Sequence, residues 1–154
     1  MLPYMITRLA AHLDEDANYF VNVTTGGFGI TIDKAAGSLK YFAGILNSKL
    51  LDWFLRNVST TFHGGYFAAN KQFLVQLPIR TIDFADPGDA ARHARMVALV
   101  EQMLALHQRR TAARTPHEQG VLAAQIAATD RQIDRLVYEL YGLSEEEVRI
   151  VEGG

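Results

Sequence analysis

The chain has 154 residues, 49% of them hydrophobic and 21% charged, with a formal net charge of −2. That length carries one domain with its own hydrophobic core, and the composition excludes a disordered or fibrous chain. The absence of cysteine excludes disulfides and thiolate metal sites.

Residues 4–10, YMITRLA, read as a strand, and the acidic LDEDAN that follows reads as a loop. Residues 19–24, YFVNVT, are aromatic and β-branched and favour a second strand. TTGG then breaks the chain, and FGITI at 28–32 gives a third strand-like run. The glycines Gly26, Gly27 and Gly29 mark a turn, because the GxGxxG spacing of a dinucleotide loop is missing.

Ser38 is suited to cap a helix running to about Val58. Leu39, Phe42, Leu46, Leu50, Trp53 and Phe54 recur at three- and four-residue spacing. Tyr41, Ile45, Leu51 and Leu55 widen the stripe to most of the helix surface, as in a buried helix. Asn47 and Ser48 within it are read as local hydrogen-bonding or packing residues. A loop, a short helix around Asn70 to Val75, and an extended segment to Pro78 come next.

Proline, glycine and aspartate crowd the seam from Pro78 to Gly88. Beyond it, residues 89–113 and 117–141 read as two amphipathic helices that pack antiparallel. The first carries the stripe Ala94, Met96, Val97, Val100, Met103, Leu104 and His107, with near-heptad spacing of the coiled-coil kind. Thr115 caps the second, Pro116 opens it and Gly142 ends it. Ser144 caps a last short helix, EEEVRIVE. The expected fold is α+β: a small mixed or antiparallel sheet around a long buried helix, then a two-helix hairpin and a short C-terminal helix. Residues 1–80 form the α+β unit and residues 81–154 the helical arm.

Catalytic chemistry is not legible. The histidines His12, His63, His93, His107 and His117 lack zinc-site spacing, and HExxH is absent. There is no GxSxG elbow, no phosphate loop and no Asn/Asp-Pro-Pro-Tyr motif. Asp14 with Asp16, and Asp130 with Asp134, are read as solvated acids. The expectation is a chain without catalytic residues, metal or cofactor of its own. With no secretory leader pattern and no apolar run of ~18 residues, it is expected to be cytoplasmic and without membrane contact.

Residues 39–79 hold the informative series: Leu46-Asn47-Ser48-Lys49-Leu50, the turn Gly64-Gly65-Tyr66, Lys71, and Leu77-Pro78-Ile79. In order and spacing this series resembles the C-terminal target-recognition domain of type II restriction-modification methyltransferases and endonucleases, the TaqI-type specificity domain. The strand-like start and the tail IDRLVYELYGLSEEEVRIVEG are similar to the flanks of such domains. The resemblance implies sequence-specific recognition of double-stranded DNA. It also implies a methyltransferase or nuclease catalytic domain elsewhere, on which S-adenosylmethionine binds and adenine is methylated.

The charge distribution agrees only in part. Residues 1–80 carry seven lysines and arginines against five acids, and residues 81–154 carry eight against twelve. DNA contact is therefore expected in the first segment. Base reading needs side chains able to pair with base edges, and the candidates are Arg8, His63, Tyr66, Asn70, Lys71 and Gln72. Phosphate positioning needs hydroxyls and backbone amides, which Ser59, Thr60, Thr61, Gly64 and Gly65 supply. Tyr66 as a core aromatic, Lys71 as a solvated helix residue, Gly64-Gly65 as a simple turn and Arg8 as an ion-pair partner stay open. The arm is a spacer or a docking surface for the catalytic domain, with self-association through it possible. The competing reading is a helical protein-interaction or oligomerisation module with no DNA contact.

Overall fold

A computed structural model describes residues 5–14, 28–33 and 36–153. The strand expected at 19–24, Gly26, Gly27 and Asp16 lie outside the described residues. The described chain is mostly helical with a small antiparallel sheet, an α+β arrangement in coarse terms. Its elements are β1 (Met5–Ile6), α1 (Leu39–Leu46), α2 (Lys49–Val58), β2 (Phe67–Ala68), α3 (Lys71–Leu74), α4 (Pro87–Ala112), α5 (Pro116–Tyr141) and α6 (Glu145–Gly153).

The helix expected from Ser38 to Val58 is two helices. Asn47 ends α1 and Ser48 caps α2 through its side chain, which accepts from the Leu51 amide and donates to the Ile45 carbonyl. The reason for the break is tertiary. The Asn47 carboxamide pairs with the main chain of Ala11 in both directions, at 3.0 Å each. The Lys49 amide, freed at the start of α2, donates to Asp134 Oδ1 of α5 at 2.9 Å. Local side chains here take up backbone groups that a continuous helix would have paired.

The first expected strand is shorter than its sequence pattern. Met5 and Ile6 pair antiparallel with Ala68 and Phe67, and the chain then bends at Thr7 and Arg8. Arg56 of α2 explains the bend: its guanidinium donates to the Thr7 carbonyl, which a ladder would have used. Asp52 accepts from the Leu9 amide two residues on. Residues 29–33 form neither strand nor helix, against the third strand expected there.

One hydrophobic cluster runs from Ile6 to Val151 and takes in both segments of the chain. Tyr41, Ile45, Leu51, Leu55, Phe67, Met96, Leu136 and Val137 are fully buried in it. α1 crosses α4 closely at Gly44, where an added Cβ would stand 2.5 Å from Met96 Sδ. α4 and α5 are antiparallel, as Gln102 bonded to Thr129 and Arg95 paired with Glu139 show. On α4 the buried apolar positions are Met96, Leu99, Val100 and Leu106, whereas Ala94, Leu104 and His107 are exposed. The expected stripe was thus rotated by part of a turn at its ends. α4 begins at Pro87 with Asp86 as cap, two residues before its expected start. α5 keeps its expected bounds closely, with a full capping box between Thr115 and Glu118 and a left-handed Gly142 after its last turn.

Candidate nucleic-acid interface

Residues 59–70 connect α2 to α3 and contain β2, and Lys71 and Gln72 open α3. Its first part is a hairpin. Ala68 donates to Thr60, Thr61 bridges Phe67, and Phe62 donates to Tyr66. His63, Gly64 and Gly65 make the turn. Gly64 and Gly65 have φ of 81° and 78°, a region that a side chain adopts only with strain.

Burial divides this hairpin sharply. Phe67, Ala68 and Ala69 are at most 2% exposed and anchor its base in the core. Phe62 and Tyr66 are 38% and 44% exposed, so Tyr66 is not a core aromatic. The anchor is reinforced by the Arg56 guanidinium, 4.7 Å from the Phe67 ring centre, and by Ser59 Oγ, which donates to the Ala68 carbonyl at 2.6 Å. The Ser59 hydroxyl therefore serves the hairpin root. Thr60, Thr61, His63, Gly64, Gly65 and Tyr66 present the accessible surface. Phe62, which the sequence did not single out, joins them; a lone aromatic beside a polar turn carries no pattern that marks it.

Asn70 precedes α3 without a side-chain cap bond, and its Oδ1 is buried with no partner. Lys71 and Gln72 follow on the exposed face of α3. Lys71 also edges an apolar cleft of about 540 Å³ with Phe42, Leu46, Leu74 and Leu77. The Gln72 carbonyl accepts from the Gln76 side chain at 2.9 Å, which leaves the Gln72 carboxamide outside that bond.

Arg8 lies elsewhere. Its guanidinium donates to the Asn47 carbonyl at 3.4 Å and stands 3.9 Å from Asp130 of α5. The structure thus sets the candidates from Ser59 to Asn70 in the α2–α3 connection and Lys71 and Gln72 at the start of α3, and it ties Arg8 to the junction of α1, α2 and α5.

Below this surface, the seam is built from ion pairs. Arg80 and Arg92 both reach Asp89 Oδ1, at 3.0 and 2.6 Å, and the Asp83 amide reaches its Oδ2. The Arg92 hydrogen bond, helped by the Asp83 amide, holds the Asp89 carboxyl below the usual carboxylate range. Arg80 also donates to the Leu140 carbonyl, and its own amide donates to the Tyr141 hydroxyl. Among the described residues, no cluster of three histidine and carboxylate ligands exists that would hold a metal ion. No helix among them is long and apolar enough to cross a membrane.

With this geometry in view, comparison with known proteins is informative. The chain is similar to the type II restriction enzyme and methyltransferase RM.Eco57I of Escherichia coli, at 27% identity over 108 residues. The alignment covers 70% of this chain and 11% of the relative, so it spans about a tenth of that protein's length. No family model matches the chain, and no solved structure matches it significantly. The likeness supports a relationship to restriction-modification enzymes.

Proposed function

We propose that this chain is the target-recognition part of a restriction-modification enzyme, similar to TaqI-type specificity domains, and that it reads a short site in double-stranded DNA. The observation that carries the reading is the hairpin at 60–68: a tip of accessible His63, Gly64, Gly65 and Tyr66 on a base whose Phe67 and Ala68 are buried. Base recognition requires side chains held rigidly at a groove. Here the tip, with Lys71 and Gln72 at the start of α3, supplies an imidazole, a phenol, an ammonium and a carboxamide. The side-chain-free backbone at Gly64 and Gly65 allows close approach to a phosphate or sugar. The resemblance and the similarity to a combined restriction enzyme and methyltransferase support the same reading.

Methyl transfer, with its S-adenosylmethionine, and any strand cleavage then belong to a catalytic domain that this chain partners. The test is enrichment of a randomised duplex pool on the chain at low salt, with the methyltransferase domain supplied in trans. A recovered consensus site is expected. His63→Ala, Tyr66→Ala or Lys71→Ala should relax that consensus, at about 1–3 kcal/mol per lost base contact. Binding that is absent with the catalytic domain present, or that yields no consensus, overturns the reading.

A further inference from the structure

The arm has a feature that its net charge conceals. Near the core, many of the cations are paired: Lys40 with Glu101, Lys49 with Glu152, Arg56 with Asp52, Arg80 and Arg92 with Asp89, and Arg95 with Glu139, while Arg131, Arg135 and Arg149 form no ion pair among the described residues. Among the described residues, the outermost ion pairs between the arm and the rest of the chain are Lys40 to Glu101 on α4 and Arg8 to Asp130 on α5. Beyond them α4 and α5 continue as a hairpin, with Met103 its last α4 residue packed against the core cluster among the described residues. α4 runs on from Gln102 to Ala112, which at 1.5 Å per residue is roughly 16 Å of projection.

That distal hairpin has a charge pattern of its own. From 102 to 129 it carries Arg109, Arg110 and Arg114, and a single acid, Glu118. Glu118 is engaged locally: its Oε2 accepts from the Thr115 hydroxyl and amide in the capping box. All three arginines are exposed, and none forms an ion pair among the described residues. Arg109, Arg114 and His117 line an open cleft of about 740 Å³ at the turn.

We infer that the tip of the α4–α5 hairpin is a second, sequence-independent contact with the nucleic-acid backbone, in which Arg109, Arg110 and Arg114 hold phosphates. The inference rests on the proposed DNA recognition. Arginine suits the task, because its planar fork of donors matches phosphate oxygens and stays charged. Three exposed arginines share the far end of the arm with a single acid, Glu118, which is held in the capping box, whereas the rest of residues 81–154 carries more acids than bases; this local excess of positive charge points to a polyanion there. An acidic protein surface offers no comparable run of regularly spaced charge.

The experiment measures binding of the full chain to a 30-bp duplex of fixed sequence across a salt series, with the methyltransferase domain supplied in trans. It compares wild type, the triple variant Arg109→Ala/Arg110→Ala/Arg114→Ala and the charge-preserving triple lysine variant. Each lost phosphate contact flattens the plot of log affinity against log salt by about 1. The alanine variant is expected to flatten it by about 2 to 3, to bind about tenfold or more weaker at low salt, and to keep the wild-type site preference. The lysine variant should keep most of the slope. Unchanged helical circular dichroism shows that the exposed substitutions leave the fold intact. An unaltered slope in the alanine variant overturns the arm contact while leaving the hairpin reading standing. Loss of co-purification with the methyltransferase domain, with duplex affinity intact, assigns the tip to a protein partner and also overturns it. No binding by wild type removes both proposals together.

Discussion

At the scale of single residues, the half-buried His93 and the buried Asp134 set a pH signature. His93 on α4 accepts the Ser38 amide at Nε2, at 3.1 Å, while packing against Tyr41 and Phe84. That bond needs the neutral ring, and burial lowers the imidazole pKa from its ordinary 6.5. The unfolded chain takes up the proton first as pH falls. The stabilisation is therefore complete above about pH 6.5 and drains away as pH drops through that value. Wild-type urea midpoints should fall between pH 7.5 and 5.5, and His93→Phe, less stable at pH 7.5, should fall less; parallel curves contradict this. Asp134 has the opposite sign. It is 2% exposed, its Oδ2 has no hydrogen-bond partner, and burial raises its pKa against the pull of the Lys49 amide. A raised carboxyl pKa means that the ionised group opposes folding above its folded pKa and ceases to do so in acid. Asp134→Asn, which keeps an acceptor for Lys49, should raise the thermal midpoint at pH 7 and lose that advantage towards pH 4. A lower midpoint at both pH values refutes the account.

At the scale of elements, junctions rather than helices depend on distant partners. The arm helices were legible because their signals are local: Thr115, Pro116 and Glu118 at one end of α5, Gly142 at the other. The break at Asn47–Ser48 was not, because its causes are Ala11 and Asp134, 36 and 85 residues away. The shortened first strand fails for a like reason, since Arg56 lies 49 residues from Thr7. Of the candidate site, the run from Ser59 to Gln72 is contiguous in sequence and so shares the α2–α3 connection and the start of α3, whereas the ties of Arg8 to Asn47 and Asp130 needed the fold. The Asn47 clasp is testable. Asn47→Ala strands both main-chain groups of Ala11 and should cost about 2–3 kcal/mol in denaturant unfolding. The close crossing of α1 on α4 gives another test. Gly44→Ala drives a methyl group into Met96 and Val100 and should cost about 1–3 kcal/mol, which Gly44→Ala with Met96→Ala should partly recover. A neutral Gly44→Ala would mean that the helices separate at no cost.

At the scale of the whole molecule, a net charge of −2 hides an ordered arrangement. Several acids of the second segment pair with cations near the core, as Asp89 with Arg80 and Glu139 with Arg95, and others sit on α6, where Glu145, Glu146 and Glu147 occupy the first turn. Lys71 in the hairpin region and Arg109, Arg110 and Arg114 at the arm tip stand outside every ion pair among the described residues. Polyanion binding therefore depends on where the cations are, and a salt titration reads that arrangement more directly than the isoelectric point does.

The hairpin at 60–68 has a consequence for how such a protein can change. Its buried base, Phe67 to Ala69, carries the folding contribution, and its exposed tip carries almost none. The tip residues, which the proposed function sets against a target, can therefore be exchanged while the scaffold stays as it is. A swap of His63 and Tyr66 for other polar side chains, with Gly64 and Gly65 retained, should leave the melting temperature within a few degrees of the parent's. The tip is thus a replaceable letterhead on a fixed page: under the proposed function, new specificities are open to mutation without a new fold.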